Sequence, residues 1–185
     1  YTPVLPDAAF MNSEFAIAWK RNIQIARSQA RQRQEPYVSH HWQYYHEFPI
    51  WVDLELSTFG ALSHLFSWLQ IEAQKEIAKN FGVQKKYIWS WLHVLTVVRN
   101  LCAHQARLLG NTKILKPRIP NRVRSDFPSD SYASIIFMAS VILSKREFST
   151  FIHQLSLITH EFEGRVEVCD LGLDTNWLQA AYNLI

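Results

Sequence analysis

Apolar residues recur at helical spacing along almost the whole chain and nowhere alternate as a half-buried strand requires. That pattern points to an all-α fold. In "NSEFAIAWKRNIQIARSQARQRQE", residues 12–35, Phe15, Ala18, Trp19, Ile23 and Ala26 fall at helical spacing, with Asn12 or Ser13 available as N-cap. Pro36 is expected to stop this helix. "IWVDLELSTFGALSHLFSWL", residues 50–69, is apolar on most faces and reads as one buried helix. "EAQKEIAKNFG" reads as a short helix ending near Gly82, followed by a long helix from about Gln84 to Leu109. Further helices are expected over 132–143 and 147–162, and a last short one near Asp174 or Thr175 that includes Trp177 and Leu178. With no internal repeat and no low-complexity segment, the expected architecture is a helical bundle.

A length of 185 residues suits a single domain over 1–185, and 48% hydrophobic residues with only five glycines give it a packed core. The net charge of +3 is too small to identify an anionic partner, so only local clusters of charge are informative. Cys102 and Cys169 lie far apart and match no zinc or CxxC spacing, which fits a reducing cytoplasm. No apolar run reaches the roughly 20 residues of a membrane helix, and no signal-peptide pattern opens the chain. A soluble protein without membrane contact is expected. The chain starts at Tyr1, and "YTPVLPDAAF" reads like the interior of something longer, so a fragment is expected.

Polar residues set into these helices are the functional candidates. Arg27 and Arg31 share a face one turn apart, as part of either a solvated surface or an RNA-facing patch. His40, His41 and His46 invite a metal, yet adjacent histidines point about 100° apart on a helix and His41 to His46 is a poor ligand pair. An aromatic-rich short helix or turn packed on the core is the alternative, and no metal or cofactor is expected. Gly60 sits inside a helical pattern, where glycine costs ~1 kcal/mol relative to alanine, and suggests that another backbone comes close. Asp53 and Glu55 are either acids favoured by the N-terminal helix dipole or, for Glu55, a buried partner of a cation such as Arg99. Residues 110–130 break the pattern with Gly110, Pro117, Pro120 and Pro128, and carry Lys113, Lys116, Arg118, Arg122 and Arg124 against Asp126 and Asp130. So long and basic a loop is either a clamp for RNA phosphates or a solvated connection.

The long helix holds the most pointed candidates, in "VVRNLCAHQARLLG", residues 97–110. At about 100° per residue Asn100, His104 and Arg107 share one face, while Arg99 lies about 140° from His104. Leu101, Cys102 and Leu109 fall on the opposite face and are expected to pin the helix to the bundle. A histidine can take and give protons near neutral pH, and an arginine can hold a phosphate through its planar fork. With Asn100 to orient them, these types suit RNA cleavage without a metal, although a solvent-facing polar arc would look the same by spacing alone.

The blocks "FPIWVDLELSTFGALSHLFSWL", "IAKNFGV", "SWLHVLTVVRNLCAH" and "ARLL" resemble, in order and approximate spacing, the Abi-like (abortive-infection AbiD/AbiF) family of bacterial phage-defence proteins. The resemblance runs from about His40 to Leu109. That family is similar to the HEPN superfamily of helical-bundle nucleases, whose motif is an arginine, a polar residue and, after four to six positions, a histidine; Arg99, Asn100 and His104 fit it. The usual continuation is matched by Arg107 and Leu108, whereas Leu109 stands at the tryptophan place and Gly110 precedes Asn111. The resemblance implies a metal-independent endoribonuclease with Arg99, Asn100 and His104 as catalytic residues. It also implies a homodimer that joins two motifs around one phosphate, a helical region ahead of this chain, and silencing by a small RNA or antitoxin. A non-catalytic module that binds RNA or an antitoxin, and a purely structural helical protein, are the competing readings.

Overall fold

The computed structural model describes residues 5–46, 48–108, 116–165 and 167–185. Among them are nine α-helices and short 3-10 turns, and the only β pairing is an isolated bridge between Phe10 and Leu69. The fold is all-α. No helix among the described residues is long and apolar enough to cross a membrane. Contacts gather into two compact units, Tyr1–Ile77 and Ala78–Ile185.

The first unit holds α1 (Ser13–Gln32), α2 (Pro36–Tyr45), α3 (Ile50–Leu56), α4 (Phe59–Trp68) and most of α5 (Ile71–Asn80). Asn12 caps α1 by accepting the Phe15 N–H at 2.9 Å. Pro36 does not stop α1, which already ends at Gln32; it begins α2 instead, where an absent N–H removes no helical bond. α1 buries Ala16, Trp19, Ile23 and Ala30, and α2, α3 and α4 pack on it. Trp19 and Ile23 join Phe10, Leu65 and Leu69 in one cluster, with Phe15 stacked on Trp68 at 5.5 Å. The expected single helix over 50–69 is in fact two. Ser57 donates its hydroxyl back to the Asp53 carbonyl at 2.7 Å, and Thr58 accepts the Ala61 N–H at 3.2 Å, so adjacent hydroxyls accompany the end of α3 and cap α4. Gly60 and Ala61 face α1 residues Asn22 and Ala26 across an open groove of about 440 Å³.

The second unit holds α6 (Lys85–Ala103), α7 (Ala133–Ile142), α8 (Lys145–Glu161) and α9 (Trp177–Tyr182). α7 carries the buried Ile136, Phe137 and Met138 and packs against α8 and α9. Trp91 of α6 is fully buried and meets the Phe137 ring edge-on at 5.9 Å. Ser144 and Glu147 form a capping box at the start of α8, and those hydrogen bonds hold the Glu147 carboxyl below the usual glutamate range. At Gly172 the backbone is left-handed (φ +68), and a Cβ would stand 2.5 Å from Ser131 Cβ. Only glycine fits there without a shift. The next residue of α7's approach, Tyr132, donates its N–H to the Leu171 carbonyl at 3.1 Å, so the 168–172 turn is stitched to the start of α7.

Candidate functional site

α6 ends earlier than its periodicity suggests, at Ala103, with His104 as C-cap. The Gln105 N–H donates to the Cys102 carbonyl at 3.0 Å and the Ala106 N–H to the Leu101 carbonyl at 2.8 Å. These are the paired bonds of a Schellman motif, which needs a left-handed residue; Gln105 takes that role with φ 51 where glycine is usual. The His104 N–H still donates to Asn100 at 3.0 Å, so Asn100 and His104 remain one turn apart on the same face. Arg107 lies beyond the helix, and its expected place on that face is lost.

Arg99, Asn100, His104 and Arg107 are all exposed. Arg99 donates an Nη1 hydrogen bond to Asn100 Oδ1 at 3.2 Å, and among the described residues no carboxylate pairs with it. No hydrogen bond joins Arg99 to His104 among the described residues, in keeping with their separation around the helix. Cys102 is exposed rather than pinned to the bundle, whereas Leu101 is half-buried. The segment after the motif is held by a residue that sequence reading missed. Tyr132 donates its hydroxyl to the Leu108 carbonyl at 3.1 Å, and burial, with a smaller contribution from the Cys102 charge, pushes its pKa up. Only a contact 24 residues away in sequence reveals that role.

The basic segment is not a free loop where it is described. Pro117 and Ile119 are buried. The Arg118 N–H donates to Ser90 Oγ at 2.9 Å, and the Trp91 indole N–H donates to the Arg118 carbonyl at 2.8 Å. These bonds lay 116–119 along α6. Lys116, Arg118, Arg122 and Arg124 stay exposed, with Arg124 also donating to the Ile119 carbonyl at 3.2 Å. Lys113, Leu109, Gly110 and Asn111 lie outside the described residues. Arg118, Arg122 and Arg124 line a depression of about 470 Å³ together with Lys86 of α6.

The first unit disposes of its own candidates differently. Arg27 grips Asp53 with Nε and Nη2, each 2.7 Å from one carboxylate oxygen, and its guanidinium lies 4.8 Å over the Phe48 ring. Arg31 lies 4.1 Å over Trp42. Arg27 is thus committed to an internal contact, whereas Arg31 stacks on Trp42 and stays exposed, so this face of α1 is still partly a solvated surface. The buried acid is Asp53 and not Glu55, which is exposed. Burial pushes the Asp53 carboxyl above its ordinary range while the hydrogen bonds and charge of Arg27 draw it back. His40 and His41 pack on Tyr44, Tyr45 and Trp51, and His46 on Trp42, as an aromatic cluster. Among the described residues no group of His, Cys, Asp or Glu is placed to hold a metal ion.

The sequence pattern of the family described as Abi-like protein matches residues 7–110, more than half of the chain. The chain belongs to the Abi-like family, and that membership associates it with abortive infection, a bacterial defence against phage. No curated protein and no solved structure matches it. The matched region takes in Arg99, Asn100, His104 and Arg107 and stops short of the basic segment at 116–124.

Proposed function

We propose that this protein is an HEPN-type, metal-independent endoribonuclease of phage defence, working in the cytoplasm as a homodimer that joins two Arg99–His104 segments in one cleft. What supports this reading most is the exposed end of α6, where Arg99 is hydrogen-bonded to Asn100, His104 lies one turn on from Asn100, and no carboxylate pairs with Arg99 among the described residues. His104 takes the proton of a ribose 2′-hydroxyl, O2′ bonds to phosphorus as the P–O5′ bond breaks, and the histidine of the second copy protonates the leaving oxygen. Arg99 holds the phosphate, and Asn100 positions the guanidinium through the hydrogen bond it accepts. The arginine has an electrostatic task besides. A helix C-terminus carries partial negative charge and repels a phosphate, so this end of α6 needs a fixed cation before it can bind RNA. Arg107, Lys113, Lys116, Arg118, Arg122 and Arg124 are assigned to the RNA backbone, and a small RNA or antitoxin to silencing.

Incubation with labelled RNA in EDTA tests the reading. Products with 2′,3′-cyclic phosphate ends are expected, and His104→Ala should remove them; cleavage unchanged in that variant would show the mechanism to be wrong. The exposed cations Lys116, Arg118, Arg122 and Arg124 equally suit a second reading, a non-catalytic module that binds RNA or an antitoxin. Such a module would shift the RNA without cutting it.

A further inference from the structure

Beyond the motif, α6 presents a second feature on the same face. At about 100° per residue, Lys86, Trp89, His93, Asn100 and His104 fall within an arc of about 60°, and the first and last stand about 27 Å apart along the axis. The pinned segment at 116–119 forms a wall beside this face. Between them runs a groove of about 350 Å³ lined by Trp89, His93, Val97, Lys116 and Arg118. Arg118 also lines the depression that holds Lys86, Arg122 and Arg124, so the two hollows share a residue.

The chemistry of the lining selects the occupant. Among the described residues no carboxylate lines either hollow and no ion pair engages Lys86, Lys116, Arg118, Arg122 or Arg124. Four cations around one depression call for a polyanion. Trp89 is 53% exposed at the groove, an apolar face that an acidic peptide would leave idle and a nucleobase would stack on. We infer that this face of α6 is a track for a single RNA strand, with backbone phosphate in the Lys86, Arg118, Arg122 and Arg124 depression and a base stacked on Trp89. The track leads along α6 towards Asn100 and His104. It rests on the nuclease reading for its purpose but not for its chemistry, since the strand binds whether or not it is cut.

The test measures binding of a fluorescein-labelled single-stranded RNA to the His104→Ala protein by anisotropy, across a range of salt concentrations. Trp89→Ala is expected to weaken binding by about tenfold, the worth of one stacked base. Trp51→Ala is the control, because Trp51 is equally exposed, at 52%, in the first unit. It should change nothing. Lys86→Ala and Arg122→Ala should each lower the salt slope of log Kd by about 0.7, the value for one single-strand phosphate. Circular dichroism of each variant keeps misfolding from passing as lost binding. Several results would overturn the track: no binding of the single strand, equal losses for Trp89→Ala and Trp51→Ala, binding of duplex as tight as single strand, or displacement of RNA by polyglutamate at equal charge. The nuclease reading fails on a different result, cleavage that survives His104→Ala, so the two are distinguishable.

Discussion

Arg27 and Arg99 are each one arginine on a long helix, and the structure uses them in opposite ways. Arg27 has the Nε–Nη2 edge of its guanidinium committed to Asp53, a carboxylate with no solvent exposure, and its flat face to Phe48. Arg99 has, among the described residues, a neutral amide as its one hydrogen-bond partner, and it is exposed. A guanidinium paired in this way has its bidentate edge neutralised by a carboxylate and closes a core. An unpaired one adds little to stability and can still take a phosphate fork. Among the described residues the first unit holds the ion pairs Lys20–Asp7, Arg27–Asp53, Arg33–Glu35 and Lys75–Glu72, and the second holds His160–Glu163.

The largest effect expected on this contrast comes from Asp53→Ala, which strands Arg27 in a partly buried site. Removing one member of such a pair costs about 3 kcal/mol, to be read from urea unfolding, whereas an unchanged midpoint would make the pair ornamental. Its pH dependence has a definite sign. Because burial raises the Asp53 pKa above 3.8, the folded state holds that proton more tightly than the unfolded chain. The stability gained by protonation is fully present below pH 3.8 and is lost as pH rises through the folded-state pKa. Measured against Asp53→Asn, wild type should therefore gain stability as pH falls towards 3.8. A loss over that range would mean that Arg27 outweighs burial.

Gly172→Ala should follow in size, at about 2 kcal/mol, because it combines a strained backbone with a Cβ pressed against Ser131. Thermal unfolding checks it, and a neutral result would show that the turn at 168–172 yields easily. The smallest change should be a gain. Gln105→Gly relieves a left-handed residue at the end of α6 and is expected to add about 1 kcal/mol to stability. If it destabilises, the Schellman geometry at the motif is not the resting one.

Helical periodicity made the number and rough placement of most elements legible, because burial of a stripe is written every three to four residues. α1, α5, α7, α8 and α9 lie close to where that stripe puts them. The points that escaped are decided by contacts rather than by period. Ser57 and Thr58 divide an unbroken apolar run through two local hydrogen bonds, and α6 stops six residues before Leu109 with neither glycine nor proline to mark it. Arg27 finds Asp53 across 26 residues, and Tyr132 reaches Leu108 across 24. No spacing rule predicts either. The candidate site was legible as residue types in "RNLCAH", while the early stop removed Arg107 from its expected face and the Trp91 and Ser90 bonds turned a supposed loop into a wall.

The most direct measurement takes Arg27→Ala and Arg99→Ala through two assays, urea unfolding and cleavage of labelled RNA at a temperature where both variants are folded. A crossed result is predicted: Arg27→Ala loses about 3 kcal/mol of stability and cuts RNA like wild type, while Arg99→Ala keeps its unfolding midpoint within about 0.5 kcal/mol and loses cleavage by at least a hundredfold. Full cleavage by Arg99→Ala, or a destabilisation of that variant as large as that of Arg27→Ala, would contradict the division of labour between the two arginines.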